Sequence, residues 1–162
     1  MTDVSNEPAT GEVLLLATDG SDHANAALAA GLQLVGVPRA ALLVTVVPTT
    51  DPGMVIGSGH AGPVMTPSEK ADLVAARAGS GRAILDAAVR FLAPDAHGTP
   101  FETEILTGDP GEAICRRAAT GDVAGIVLGT RGQGGLKRAL LGSVSDHVVR
   151  NAPCPVITVN TN

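Results

Sequence analysis

The chain has 162 residues, a net charge of −5 and a mean hydropathy of +0.26, which suits one domain with one core and excludes a disordered chain. Eleven Lys and Arg stand against sixteen Asp and Glu, a balance that disfavours the basic face a nucleic-acid partner would want. Phe91 and Phe101 are the only aromatic residues, so base-stacking platforms are missing and the core is left to Ala, Val, Leu and Ile.

Residues 1–12 hold acids, Pro and Ser without an apolar secretory stretch, and are expected to form a disordered tail ahead of a single domain over 13–160. No apolar run reaches the length of a membrane span. Cys115 and Cys154 show no metal-like spacing and read as free thiols of a reducing compartment. The expectation is a cytoplasmic protein.

Val13 to Ala17 (VLLLA) is a continuous apolar run, the mark of a strand buried on both faces of a parallel sheet. Thr18, Asp19 and Gly20 end it, and Ser21 is placed to cap a helix on which Ala24, Ala27, Leu28, Gly31, Leu32 and Val35 recur at helical spacing. Ala41 to Val47 is a second buried strand, closed by Pro48. The stretch from Pro48 to Met65 is rich in Pro, Gly, Thr and Ser and has no periodicity, so it reads as a mobile loop.

Thr66-Pro67-Ser68-Glu69 then supplies a hydroxyl cap, a Pro at the first helical position and an acid reaching back. Leu73, Ala76, Ser80, Ile84, Ala87 or Ala88, and Phe91 mark one face of a long helix, interrupted by Gly79 and Gly81 at a cost of roughly 1 kcal/mol each against Ala. Pro100 to Leu106 alternates as an outer strand with one wetter face would. Asp109-Pro110-Gly111-Glu112 opens a helix that runs through Ala119, and Val123 to Leu128 is the fourth strand. A last helix begins near Arg138 or Gly142 and ends at Arg150, and Val156 to Val159 is a fifth strand.

Regular alternation of strand and helix means a parallel sheet with helices on both faces. Ligands on such sheets sit beyond the strand C-terminal ends, where the strand order reverses. Two loops lie there: Thr18 to Ser21, and Gly129 to Ser145. The second carries Gly129, Gly132 and Gly142, whose bare amides suit a polyphosphate, followed by Ser143 and Ser145 at a helix start. A structural Gly-rich turn explains these residues only slightly less well. Arg131, Lys137 and Arg138 cluster in the same loop and would suit an anion, or are solvated charges.

Two better-known phosphate motifs fail. No G-x-x-x-x-G-K-[ST] exists, because Gly135 stands where Lys is needed. The G-x-G-x-x-G string at Gly57 to Gly62 neither follows a strand nor opens a helix.

The pattern G-x2-G-x9-G-[ST] formed by Gly129, Gly132, Gly142 and Ser143 resembles the ATP-binding signature of universal stress proteins. The opening Leu16-Ala17-Thr18-Asp19-Gly20-Ser21 and the ending Ala152-Pro153-Cys154-Pro155-Val156 are similar to the same family. The resemblance runs from about Glu12 to the C-terminus. It implies an open, Rossmann-like five-stranded α/β sheet of order 3-2-1-4-5, with ATP, together with Mg²⁺, bound across strands 1, 2 and 4. It implies further that Asp19, beside Thr18, holds the ribose hydroxyls or the adenine edge, and that the backbone at Ala17 and Val46 lines the adenine pocket. Gly129, Gly132, Gly142, Ser143, Val144 and Ser145 would cradle the phosphates. Each has a plainer rival: Asp19 as a turn or cap residue, Thr18 as a structural one.

His23, His60, His97 and His147 are scattered, and none pairs with a carboxylate in a catalytic order; His147 is expected to face outward. The leading expectation is therefore a nucleotide-binding regulatory module of the stress response. The alternatives are a slow ATPase or self-phosphorylating enzyme, with Thr130, Ser143 or Ser145 as acceptor, and a nucleotide-free dimeric interaction protein. The fifth strand is expected at the sheet edge, where its open backbone suggests a homodimer that a proline at Ile157 would split.

Overall fold

The computed structural model describes residues 13–36, 38–49, 66–130 and 141–161. The expected tail, the expected loop over 48–65 apart from Pro48 and Thr49, with its glycine string and His60, and residues 131–140 with Gly132 and the basic cluster, lie outside them.

The five strands are β1 (Val13–Ala17), β2 (Ala40–Val47), β3 (Phe101–Thr107), β4 (Val123–Gly129) and β5 (Val156–Val159). All pair in parallel, in the order β3-β2-β1-β4-β5. The interleaved helices are α1 (Asp22–Val35), α2 (Pro67–Leu92), α3 (Pro110–Ala118) and α4 (Ser143–Asn151). Because alternate strand residues point to opposite faces, the apolar runs feed two cores. Leu15, Leu42, Val44, Ile126 and Leu128 meet Ile114 of α3 and Val148 of α4 on one face. Leu14, Leu16, Leu43 and Val127 meet Leu28 and Leu32 of α1 and Leu85 and Leu92 of α2 on the other. β3 lies at an edge, as expected for an outer strand, but its exposure does not alternate: neighbouring Glu102 and Thr103 are both exposed, while Ile105 and Leu106 are covered on opposite faces.

The caps follow the local chemistry. Ser21 accepts from the Ala24 amide, Thr66 and Glu69 form a reciprocal capping box, and Asp109 accepts from the Glu112 amide. The stripe expected for α2 is shifted by one residue. The buried positions are Gly81, Leu85, Ala88 and Leu92, while Phe91 is 48% exposed. Gly81 is the cause: a Cβ there would stand 3.1 Å from Ile105 of β3, so a residue that reads as a helix defect is a point of close contact. Val35, at the end of α1, is also exposed.

His147 is likewise not outward-facing. Its ring packs against Gly111, 2.7 Å from where a Cβ on that residue would fall, so α3 and α4 meet closely there. Cys115 and Cys154 are free thiols beside the same core, and burial pushes both above the ordinary thiol range. Among the described residues, no helix is long and apolar enough to cross a membrane.

Candidate functional site

The chain leaves β1 for β2 and β3 on one side and returns to β4 on the other, so the strand order reverses between β1 and β4. Two turns meet that crevice, and each is built by a short set of hydrogen bonds.

After β1, the Thr18 amide donates to the Val44 carbonyl at 3.0 Å, extending the ladder to β2 by one rung. Gly20 takes φ +83°, a conformation that suits a residue without Cβ. Asp19 Oδ1 accepts from the Ser21 amide at 3.0 Å and from Ser21 Oγ at 2.6 Å. One carboxylate oxygen is thus engaged in shaping the turn. The Thr18 hydroxyl is directed inward, donating to Asn25 Oδ1 at 2.8 Å and accepting from the Gly20 amide at 3.0 Å. Ala17, the last residue of β1, and Val46, the penultimate residue of β2, lie half-buried at the C-terminal ends of their strands, with Val46 two residues past the register partner of Ala17, Val44.

After β4, Thr130 ties three elements together. Its amide donates to the Val159 carbonyl of β5 at 2.9 Å, and its carbonyl accepts from the Gly142 amide at 2.8 Å. Gly142 is the N-cap of α4 in extended conformation and offers no side-chain cap. The first bond of the α4 ladder runs from the Asp146 amide to the Gly142 carbonyl at 2.9 Å. The amides of Ser143, Val144 and Ser145 therefore precede that ladder and gather the positive end of the helix.

This geometry redistributes the roles expected from sequence. The Gly142 amide is occupied by Thr130, so Gly142 contributes by letting the chain approach that carbonyl closely: a Cβ would stand 3.1 Å from it. Ser145 is 2% exposed, and its hydroxyl donates to the Gly142 carbonyl at 3.0 Å, which leaves its amide rather than its side chain facing the helix end. Ser143 is exposed, Val144 is half-buried, and Gly129 ends β4. Thr130 is 7% exposed, with its hydroxyl near Asn160 Oδ1. The sequence alone singles out neither Asn25 nor the tying role of Thr130. A buried Asn on an otherwise apolar helix stripe was the one available signal for the former.

The fold defines an open α/β domain of Rossmann-like topology in which the turn after β1 and the end of β4 flank the switch point. Residues 12–160 match the profile of the universal stress protein family, and the chain belongs to that family. It is 35% identical over 150 residues to a universal stress protein of Thermus aquaticus, covering 91% of this chain and 98% of that one. It is 33% identical over 147 residues to universal stress protein YxiE of Bacillus subtilis, covering 90% and 97%. With universal stress protein MJ0531 of Methanocaldococcus jannaschii the identity is 45%, but over 62 residues, 38% of this chain and 36% of that one.

Among solved structures, the universal stress protein UspA of Lactobacillus plantarum superposes with a TM-score of 0.70 at 25% identity, over 93% of this chain and 99% of that one. Two further structures share the fold: a universal stress protein in complex with cAMP (TM-score 0.62, 20% identity, 95% and 100% coverage), and an Arabidopsis thaliana family protein with AMP bound (0.57, 21%, 93% and 92%).

Proposed function

We propose that this chain is a regulatory module of the stress response, acting in the cytoplasm, that binds an adenine nucleotide, with ATP and Mg²⁺ as its working ligand. The observation that carries the reading is the uncapped start of α4, tied by the Gly142–Thr130 bond to the end of β4 beside the switch point. Three amides and a helix dipole at that place suit a phosphate group. The adenine preference draws support from relatives of the same fold that hold cAMP and AMP. In this reading Ala17, Thr18, Asp19 and Val46 border the base and ribose, and Gly129, Gly132, Gly142, Ser143, Val144 and Ser145 form the phosphate side.

Among the described residues no three His, Cys, Asp or Glu side chains converge. Mg²⁺ would therefore be held largely by phosphate oxygens and water, its common mode with nucleotides. Of the three hydroxyls considered as phosphoryl acceptors, Ser145 and Thr130 are buried, so self-phosphorylation, were it to occur, would fall to Ser143. The proposed assembly is a homodimer through the open edge of β5.

Mass spectrometry of nucleotide released from purified, denatured protein tests the reading, followed by calorimetric titration with ATP–Mg²⁺, AMP and cAMP. Bound or titratable adenine nucleotide is the expected result. Protein that is empty and silent to all three would leave the loop structural and hand the function to the interaction-protein reading.

A further inference from the structure

Beneath the turn after β1 lies a polar residue at the second position of a buried stripe. Asn25 is 7% exposed on the α1 face that also buries Ala24, Ala27, Leu28, Gly31 and Leu32. A buried amide costs free energy unless its hydrogen bonds are made, so its presence in an Ala and Leu stripe asks for a purpose beyond filling space. Its Oδ1 accepts the Thr18 hydroxyl at 2.8 Å. A hydroxyl has a single proton. With that proton given to Asn25, the remaining lone pairs of Thr18 Oγ1 are directed elsewhere, and one accepts the Gly20 amide at 3.0 Å. Gly20 is thereby held at φ +83°. Asp19 sits between the two fixed residues, with Oδ1 on the Ser21 amide and hydroxyl.

We infer that Asn25 is a positioning residue of the nucleotide site, acting through Thr18 and Gly20 to set the direction of the Asp19 carboxylate. The inference rests on the reading that Asp19 faces the ligand. The relay itself is a property of the free protein. Without the Asn25 acceptor, the Thr18 proton has no fixed direction, Oγ1 no longer presents a lone pair steadily to Gly20, and the turn loosens around Asp19. Asn25 touches no ligand in this scheme, and its effect on binding travels through the backbone of the turn.

The test uses the full chain with Asn25→Leu, Thr18→Val, the double variant and Asn25→Asp, which keeps an acceptor for Thr18. Amide hydrogen exchange by NMR reads the relay in nucleotide-free protein, and calorimetry reads affinity for ATP–Mg²⁺. In Asn25→Leu and Thr18→Val the Gly20 amide is expected to exchange about tenfold faster, and ATP to bind about tenfold more weakly, the size of one lost buried hydrogen bond. The double variant should be no worse than Thr18→Val alone, because one path cannot be cut twice, and Asn25→Asp should keep Gly20 protected. Should Asn25→Leu fail to fold, Thr18→Val and Asn25→Asp carry the same comparison. Unchanged Gly20 exchange in Thr18→Val, or fully additive effects in the double variant, would overturn the relay. Wild-type protein that binds no nucleotide would instead overturn the functional reading, and the exchange measurement would still decide whether Asn25 sets the turn.

Discussion

The amide of Gly142 donates to the carbonyl of Thr130 at 2.8 Å, while the amide of Thr130 donates to Val159 of β5 at 2.9 Å. The start of α4 is thus anchored to the sheet through one residue of the chain by bonds made without a ligand. Pre-set donors lose less freedom on binding than donors that must be gathered.

Substitution of Gly142 tests that anchor. Its Cβ would stand 3.1 Å from the Thr130 carbonyl and 3.8 Å from Ser145 Oγ. Gly142→Ala asks that carbonyl to give by a few tenths of an ångström. Gly142→Val adds two methyl groups and is expected to open the junction. Crowding of this kind costs about 1–3 kcal/mol. Denaturant titration should show Gly142→Val the less stable of the two, and released-nucleotide analysis should find it empty. Wild-type levels of nucleotide in Gly142→Val would remove Gly142 from the site.

Gly111 and His147 make a second close contact. A Cβ on Gly111 would fall 2.7 to 2.9 Å from three His147 atoms, which forces the ring or the α3–α4 spacing to move. Gly111→Ala should therefore cost about 1–3 kcal/mol, although a helix interior normally favours Ala over Gly by about 1 kcal/mol. His147→Ala in the same chain should restore most of the loss. A double-mutant cycle measured by urea unfolding checks it, and equal cost for Gly111→Ala with and without His147 would contradict the contact.

The same pair shows what the amino-acid pattern carries and what it leaves out. Strands buried on both faces need continuous apolar runs, so Val13 to Ala17 and Val123 to Leu128 announce themselves, and so do the capped starts at Ser21, Thr66 and Asp109. Close approach leaves no such mark. Gly81 under Ile105 looks like a helix interruption, and Gly111 under His147 like part of a helix start, until the partner is known. Misreading Gly81 slid the expected α2 stripe by one residue and placed Phe91 inside. At the candidate site, the spacing of glycines and serines singles out the loop that the proposal uses. It did not distinguish an amide that faces outward from one already bonded to Thr130, since that depends on a carbonyl twelve residues earlier. Asn25 escaped notice for the same reason: its partner Thr18 lies across a turn, and no periodicity links them.

Acid stability is expected to depend on the ion pairing of Arg117, far from the site. Arg117 Nη1 lies 2.7 Å from Asp122 Oδ1, and Arg117 Nε lies 2.7 Å from Glu104 Oε2, joining α3 to β3 and to the approach to β4. The hydrogen bond from Arg117 holds the Asp122 carboxyl at about 2, below its ordinary 3.8. A depressed folded-state value adds stability that is fully present above pH 3.8 and disappears as pH falls towards 2. Asp122 is half exposed, so the contribution at neutral pH is at most about 1 kcal/mol. Asp122→Asn should lose that amount at pH 7 and converge on the wild type near pH 2, as read by urea titration across the range. A constant difference at all pH values would mean that packing rather than charge is at stake.

The edge of β5 gives the sharpest test of assembly. Pro155 and Val159 direct their carbonyls at β4, accepting from Ile126 and Thr130 at 2.9 Å each. Strand alternation then turns the Ile157 backbone to β4 as well, and leaves the amides of Val156 and Thr158 at the open edge. A proline at Ile157, the probe expected from sequence, would break the β4 ladder and damage the fold itself. Thr158→Pro removes an edge donor while sparing that ladder, the position in which strands tolerate proline. If a second copy pairs along β5, light scattering after gel filtration should show wild-type dimers and Thr158→Pro monomers, with nearly equal thermal stability at low concentration. A Thr158→Pro variant that stays dimeric would place the partner on another surface, and a monomeric wild type would show that the β5 edge is left open.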